Sequence, residues 1–182
     1  MLELVTVHGN EELTRRVLWS IPTMLGVLGT VSDSGSGHLM NISWVAPATA
    51  TPLRLVASVE SDSLSQANLS RKPLFTLSLL SLEQRALGRA FVKSNLEHGR
   101  EDAVDTIAGH RVLADASGVP YLERAHGVFC GSAQPLRDLG SHCLWLLGVD
   151  LVAGAPVILE GSASEHSSRA LGVFDTRMNY GR

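Results

Sequence analysis

Four serines stand close together at the start of a short helical pattern: Ser58, Ser61, Ser63 and Ser65. The first backbone N–H groups of a helix have no intrahelical partner, so they attract phosphate or carboxylate groups. Single serine hydroxyls are weak anion ligands, but several that converge with such N–H groups are adequate. The alternative is that Ser61 or Asp62 is simply the N-cap of the helix, and both interpretations can hold together.

The segment before these serines has the pattern of two strands, Leu39–Pro47 and Thr51–Val59, joined by a short link. Small polar residues such as Asn41 and Ser43 occur among the apolar ones, where a purely structural pair would carry more Val, Ile and Leu. Such strands can offer hydrogen bonds to a flat molecule with polar edges. The alternative is an ordinary half-buried strand with Trp44 in the core, and the pattern alone favours it.

Two helices and a helical turn are predicted around these strands. Apolar residues at helical spacing predict a helix from Glu11 to Ser20, and a second helix is expected from Asp62 to Ser70. Ser81 and Gln84 match a capping box. In this motif the Ser hydroxyl accepts a hydrogen bond from the backbone N–H of the Gln, and the Gln side chain accepts one from the backbone N–H of the Ser. We expect the helical turn that follows to end near Gly88.

Strands account for much of the remaining chain: Thr23–Val31, Leu74–Leu80, His110–Ala114, Gly127–Leu136 and His142–Val152. The polar segment 94–109 predicts a loop with one exposed helix from Glu101. The last two strands are long and are separated by turn residues, which favours an antiparallel barrel over a parallel α/β sheet. The residues therefore predict a mainly β fold.

The composition fits one soluble globular domain. With 182 residues, 45% of them hydrophobic and 18% charged, the chain can bury a sizeable core, and we take 1–182 as a single domain. The net charge of −3 comes without a cluster of Lys and Arg, which argues against a nucleic-acid partner. No signal peptide and no apolar run of membrane length is recognised, so we expect a cytoplasmic protein and no membrane partner.

Cysteine and histidine suggest no metal or disulfide site. Cys130 and Cys143 each lie in an apolar, strand-like run, so we expect two buried free thiols in a reducing compartment. The seven histidines are scattered without metal-ligand spacing, and no G-x-S-x-G, H-E-x-x-H or C-x-x-C motif occurs. We therefore expect no metal.

The order of several short motifs resembles the flavin reductase-like proteins of the FMN-binding split-barrel class. The resemblance runs from about Val17 to the C-terminus. Besides the strand pair and the serines, it rests on Ile21-Pro22, Phe75 to Gln84, Gly88-Arg89-Ala90-Phe91, Gly140-Ser141-His142 and Arg177-Met178-Asn179-Tyr180. It implies an antiparallel split β-barrel of Greek-key type with a few short peripheral helices.

The resemblance implies that FMN or FAD binds and that NAD(P)H reduces it by direct hydride transfer, so that the protein mainly positions two flat rings. The residues implied at the flavin ring are Asn41, Ile42, Ser43, Trp44 and Val45. Ser58, Ser61, Ser63 and Ser65 match the phosphate side. Phe91 matches a position beside the flavin, with core packing as the alternative.

His142 matches a histidine near the nicotinamide that orients the substrate or supplies a proton, and it is the implied catalytic residue. The chain departs from the family pattern at two places: Asn41 stands where a Thr is common, and Ser141 stands where an Asp precedes the histidine. The second change removes a partner of the imidazole. A purely structural role for His142 therefore stays open.

Three functions follow from the resemblance. The first is a flavin reductase that supplies reduced flavin to a partner monooxygenase and acts as a homodimer with the flavin in a groove between subunits. The second is a flavin- or deazaflavin-binding oxidoreductase that acts on another substrate. The third is a structural module without cofactor, and the small polar residues retained on the strands argue against it.

Overall fold

The protein is built on one large antiparallel sheet. The computed structural model describes residues 5–93, 97–98, 106–156, 158, 162 and 170–176. The strands are β1 Gly26–Val31, β2 Gly37–Ile42, β3 Val45–Ala50, β4 Leu53–Glu60, β5 Leu74–Leu79, β6 Glu97–His98, β7 Thr106–Ile107, β8 His110–Ala114, β9 Pro120–Leu122, β10 Gly127–Asp138 and β11 His142–Gly154. The α-helices are α1 Glu11–Trp19, α2 Leu64–Arg71, α3 Arg85–Lys93 and α4 Val173–Thr176.

Eight strands form the main sheet in the order β3-β4-β11-β10-β5-β1-β2-β6, and β7, β8 and β9 form a second, small sheet. Neighbouring strands in both sheets are antiparallel. This confirms the predicted mainly β, antiparallel fold with a few short helices. Within the described residues β3 and β6 remain the two ends of the main sheet, so no closed barrel forms.

The segment 39–47 is not one strand, as the sequence predicted, but the ends of two. β2 stops at Ile42, which lies opposite Gly26 of β1, and β3 starts at Val45, which lies opposite Ala57 of β4. The two strands stand near opposite ends of the strand order. The chain leaves one edge of the sheet and joins the other within two residues, 43 and 44.

Two hydrophobic clusters fill the interior. The α3 cluster lies under α3 and consists of Leu25, Val27, Leu39, Leu80, Leu87, Ile107, Leu122, Ala125, Val128 and Leu171. The α2 cluster lies under α2 and consists of Leu28, Ile42, Leu55, Ala57, Val59, Leu69, Phe75, Leu77, Ala133, Trp145 and Leu147. Removing these apolar side chains from water is the main favourable contribution to folding.

The small sheet is fastened to the main one by buried polar groups of β5. Thr76 donates a hydrogen bond to the carbonyl oxygen of Pro120 at 2.5 Å, and Ser78 accepts one from the N–H of Leu122 at 3.1 Å. Gly29 of β1 lies against the same carbonyl, and a Cβ at this position would collide with it. The glycine is therefore required by the close approach of two backbones.

The helices agree with the predictions except at α3. The first two predicted helices are present as α1 and α2, and the capping box forms, with the N–H of Ser81 bound to the Gln84 side chain at 2.9 Å. The helical turn does not end near Gly88 but continues to Lys93. The predicted helix from Glu101 lies outside the described residues.

Cys130 and Cys143 are free thiols, as predicted, but both are half-buried rather than buried. Burial raises the pKa of the Cys130 thiol, and the negative charge of Asp115 raises this pKa further. The neutral thiol is therefore favoured at Cys130, which agrees with an unreactive side chain.

Candidate functional site

A cleft of about 430 Å³ opens where β4 ends and β11 begins. Glu60 of β4 lies directly opposite His142 of β11, and the N–H of Ser61 donates to the carbonyl oxygen of Ser141 at 3.0 Å. These contacts fix the loop before β11 against the turn before α2. The lining residues are Glu60, Ser61, Asp62, Gly140, Ser141 and His142.

An aromatic pair stands at this cleft. The ring centroids of Trp44 and His142 are 5.0 Å apart, and the rings are inclined by 32°. The N–H of Ser58 donates to the carbonyl oxygen of Trp44 at 2.9 Å, which extends the β3–β4 pairing by one bond and fixes the tryptophan backbone. Trp44 is nevertheless 46% exposed, so its indole ring presents a flat apolar surface on which another aromatic ring could stack.

The serine-rich turn forms the N-terminus of α2, and its N-cap is Ser63 rather than Ser61 or Asp62. The Ser63 hydroxyl accepts a hydrogen bond from the N–H of Gln66 at 3.1 Å and donates one to the carbonyl oxygen of Glu60 at 2.7 Å. The Ser61 hydroxyl is 3.7 Å from the sulfur of Cys143. The cap therefore ties the helix start to the end of β4 beside the cleft.

Ser58 and Ser65 differ in access. Ser58 is half-buried on β4, and it shares a strand face with Glu60, opposite to the buried Ala57 and Val59. Ser65 is fully buried, and its hydroxyl is 3.0 Å from Nδ1 of His38. In this structure the Ser65 side chain therefore faces the protein interior and does not reach the cleft.

The other ring residues predicted from the sequence are not among those that line the cleft. Asn41 donates from Nδ2 to the carbonyl oxygen of Gly88 in α3 at 2.6 Å, and Ile42 is buried in the α2 cluster. Ser43 is half-buried at the break between β2 and β3, and Val45 packs against the α2 cluster. Phe91 lies in α3, but its side chain and the segment 177–180 are outside the described part of the chain.

The structure thus brings Trp44, His142, Ser61 and Ser63 together, with Ser58 on the adjoining strand. It adds two cleft residues that the sequence did not nominate as ligands, the exposed carboxylates of Glu60 and Asp62. The sequence could have indicated these two residues through their position next to the predicted serines. Two carboxylates make the cleft less favourable to an anion than serines alone would make it.

Residues 18–162 match the family described as the flavin reductase like domain. No curated protein matches the sequence. Solved structures share the fold, however. The NADH:FAD oxidoreductase SgcE6 of Streptomyces globisporus C-1027 is 22% identical, with a TM-score of 0.69 over 86% of this chain and 89% of that one. The styrene monooxygenase flavin reductase SMOB of Pseudomonas putida S12 is 18% identical, with a TM-score of 0.67 over 90% and 93%.

A third structure, nitrilotriacetate monooxygenase component B from Mycobacterium thermoresistibile, is 19% identical, with a TM-score of 0.68 over 85% of this chain and 79% of that one.

Within the residues that the structure describes, no helix is both long and apolar enough to span a membrane. The same residues hold no group of three or more His, Cys, Asp or Glu side chains that could bind a metal ion.

The family match covers most of the chain and confirms the prediction of a nicotinamide-dependent flavin oxidoreductase. The chain belongs to the flavin reductase like domain family.

Proposed function

We propose that this chain is an NAD(P)H-dependent flavin reductase that binds FMN or FAD at the cleft between β4, β11 and α2. The observation that carries the proposal is the half-exposed Trp44–His142 pair, which stands beside the N-terminal turn of a helix. An aromatic surface next to an anion-attracting turn matches a ligand with a flat ring and a phosphate.

The flavin-ring side is assigned to Trp44 and the β4 face of Ser58. Trp44 offers an apolar surface, and Ser58 adds a hydroxyl on the strand that fixes the Trp44 backbone. Asn41, Ile42, Ser43 and Val45 are then supporting residues, because they shape the break between β2 and β3 from which Trp44 projects. Bound flavin supplies the hydride acceptor of the reaction.

The phosphate side is assigned to Ser61, Ser63 and the first N–H groups of α2. Leu64 and Ser65 begin this helix, and their N–H groups are among those that a helix leaves without an intrahelical partner. Asp62 lies in the same turn and opposes a phosphate charge. A weakened phosphate contact suits a flavin that is released as a product rather than retained as a tight cofactor.

His142 is assigned to the nicotinamide side. Its Nδ1 lies 3.1 Å from the Ser141 hydroxyl, so a neutral partner replaces the carboxylate that the resemblance implied. A hydroxyl can donate to or accept from the imidazole, and it orients the ring without adding charge. His142 thereby holds the nicotinamide in contact with the flavin ring.

A homodimer and a monooxygenase partner complete the proposal. Four large apolar residues of the β10–β11 hairpin are strongly exposed in the single chain: Leu136 and Leu139 near the turn, and Leu151 and Val152 near the other end. A second copy would remove such side chains from water. Two similar structures are named as the flavin reductase of styrene monooxygenase and as component B of nitrilotriacetate monooxygenase, which supports an oxygenase as the consumer of reduced flavin. The two free thiols support a reducing, cytoplasmic location.

The test is NADH and NADPH oxidation by purified protein, followed with and without added FMN, FAD or riboflavin. We expect oxidation that depends on added flavin, together with saturable quenching of flavin fluorescence. Flavin or deazaflavin binding without nicotinamide oxidation would support the alternative, an oxidoreductase that acts on another substrate. Failure to bind any flavin would refute the proposal. Light scattering at micromolar concentration tests the dimer.

A further inference from the structure

Helix α2 is held to the sheet by buried polar side chains as well as by apolar packing. Ser65 is fully buried and Asn68 is 3% exposed, next to the buried Leu69. Burying a hydroxyl or an amide costs free energy unless the group is hydrogen-bonded. The docking of α2 therefore depends on the partners that the sheet offers to these two residues.

The partners are neighbours on β1 and β2. Thr30 and His38 stand directly opposite each other in the β1–β2 pairing. Nδ1 of His38 lies 3.0 Å from the Ser65 hydroxyl, and Nδ2 of Asn68 donates to the Thr30 hydroxyl at 3.1 Å. One cross-strand pair thus holds two successive turns of the helix.

These contacts act where the candidate site needs orientation. Ser65 is the second residue of α2 and comes two positions after the N-cap Ser63. The next residue of α2, Gln66, is bound by β11: Nε1 of the buried Trp145 donates to Oε1 of Gln66 at 2.7 Å. A helix of eight residues has little stability of its own, so tertiary contacts must set the direction of its first N–H groups.

We propose that His38 is a positioning residue for the flavin phosphate: through Ser65 it holds the N-terminal turn of α2 in the orientation that presents Ser61, Ser63 and the first N–H groups to the ligand. This inference rests on the proposed function, because it names the support of the same site. His38 acts through Ser65 and does not touch the ligand.

The first test measures the turn itself, without ligand. In His38→Ala and Ser65→Ala, the amides of residues 64–67 should exchange hydrogen at least about tenfold faster than in the wild type. His38→Ala removes the 3.0 Å contact to Ser65, and Ser65→Ala also removes a 3.5 Å contact from the Thr30 hydroxyl. The matched controls are Ser132→Ala, an exposed serine of β10, and His110→Ala, a histidine of the small sheet. Unchanged exchange in both test variants would overturn the proposal.

The second test separates positioning from general destabilisation. FMN should bind about tenfold more weakly to His38→Ala, and riboflavin, which lacks the phosphate, should lose less than about twofold. His38→Asn keeps a polar group near the Nδ1 position and should restore most of the FMN affinity. Equal losses for the two ligands would overturn the positioning role. A wild-type protein that binds FMN no better than riboflavin would instead refute the phosphate placement, and the exchange rates would then decide whether His38 holds the turn.

Discussion

The two helices that cover the main sheet are held in different ways. On α3, Leu87 is fully buried in the α3 cluster, and Gly88 allows contact so close that a Cβ would lie 2.7 Å from Cδ2 of Leu25. Two hydrogen bonds of α3 among the described residues are accepted by backbone carbonyls: Asn41 donates to Gly88, and Arg89 donates to Thr176. On α2, side chains bind side chains: Ser65 to His38, Asn68 to Thr30, and Gln66 to Trp145.

The difference follows from what each helix must do. Apolar packing is non-directional and gives stability, which suits α3, whose described residues do not line the cleft. Hydrogen bonds between side chains are directional, so they can fix how the first turn of α2 faces the cleft. Both helices thus gain stability from apolar packing, and α2 has in addition the side-chain hydrogen bonds that fix its orientation.

The largest expected effect tests this division with two buried leucines. Leu87→Ala on α3 and Leu69→Ala on α2 should each lower the free energy of unfolding by about 2–5 kcal/mol, because each leaves a cavity in its cluster. Only Leu69→Ala should also weaken FMN binding to the folded protein. Urea unfolding and FMN titration under folded conditions measure the two effects. Equal loss of FMN affinity in both variants would contradict the proposal that α2, and not α3, orients the flavin site.

The two N-cap serines provide the next comparison. Ser63→Ala at α2 removes the cap that orients the first N–H groups of the helix, so it should weaken FMN binding by about 1.5–3 kcal/mol, the contribution of a hydrogen bond to a charged group, and riboflavin binding much less. Ser81→Ala, at the short helical turn that precedes α3, removes a comparable cap and should lower stability by about 0.5–2 kcal/mol without a change in either affinity. Fluorescence titrations with both flavins provide the measurement. If Ser63→Ala affects the two flavins equally, the turn does not contact the phosphate.

A smaller effect is expected at the aromatic pair. His142→Ala should slow reduction of flavin by NAD(P)H by about tenfold, because the nicotinamide loses a stacking contact worth up to about 1.5 kcal/mol, while flavin affinity changes little. Stopped-flow reduction of bound flavin separates the two quantities, with His110→Ala as the control. An unaltered reduction rate would exclude His142 from the nicotinamide site, and a loss of thermal stability with disturbed flavin binding would indicate a structural role.

The smallest effect concerns the carboxylate in the cleft. Asp62→Asn should strengthen FMN binding by about 0.2–1 kcal/mol and leave riboflavin binding unchanged, since an exposed carboxylate repels the phosphate only through screened charge. Glu83→Gln, an exposed acid beside the Ser81 cap, is the matched control. The gain should fade as salt rises. Weaker FMN binding in Asp62→Asn would place the phosphate elsewhere.

Local patterns determined much of the fold. The strands β5, β8, β10 and β11 lie within a few residues of their predicted ends, because alternation of side chains and turn residues are properties of the immediate sequence. Family resemblance likewise pointed to Ser61 and His142, which line the cleft, and to Trp44, whose ring centroid lies 5.0 Å from that of His142. The order of the motifs was enough to nominate these residues, since a functional site is carried by particular residues on a shared fold, and their binding roles stay predictions.

Only the tertiary structure decided which surfaces those elements cover. The sequence could not reveal that the chain changes sheet edges at residues 43 and 44, or that α3 passes through Gly88, where packing against Leu25 overrides the low helix propensity of glycine. Nor could it place Ser65 in the interior on His38 while Ser63 caps the helix. A strand or helix pattern tells which residues share a face, but the partner that buries each face comes from distant parts of the chain.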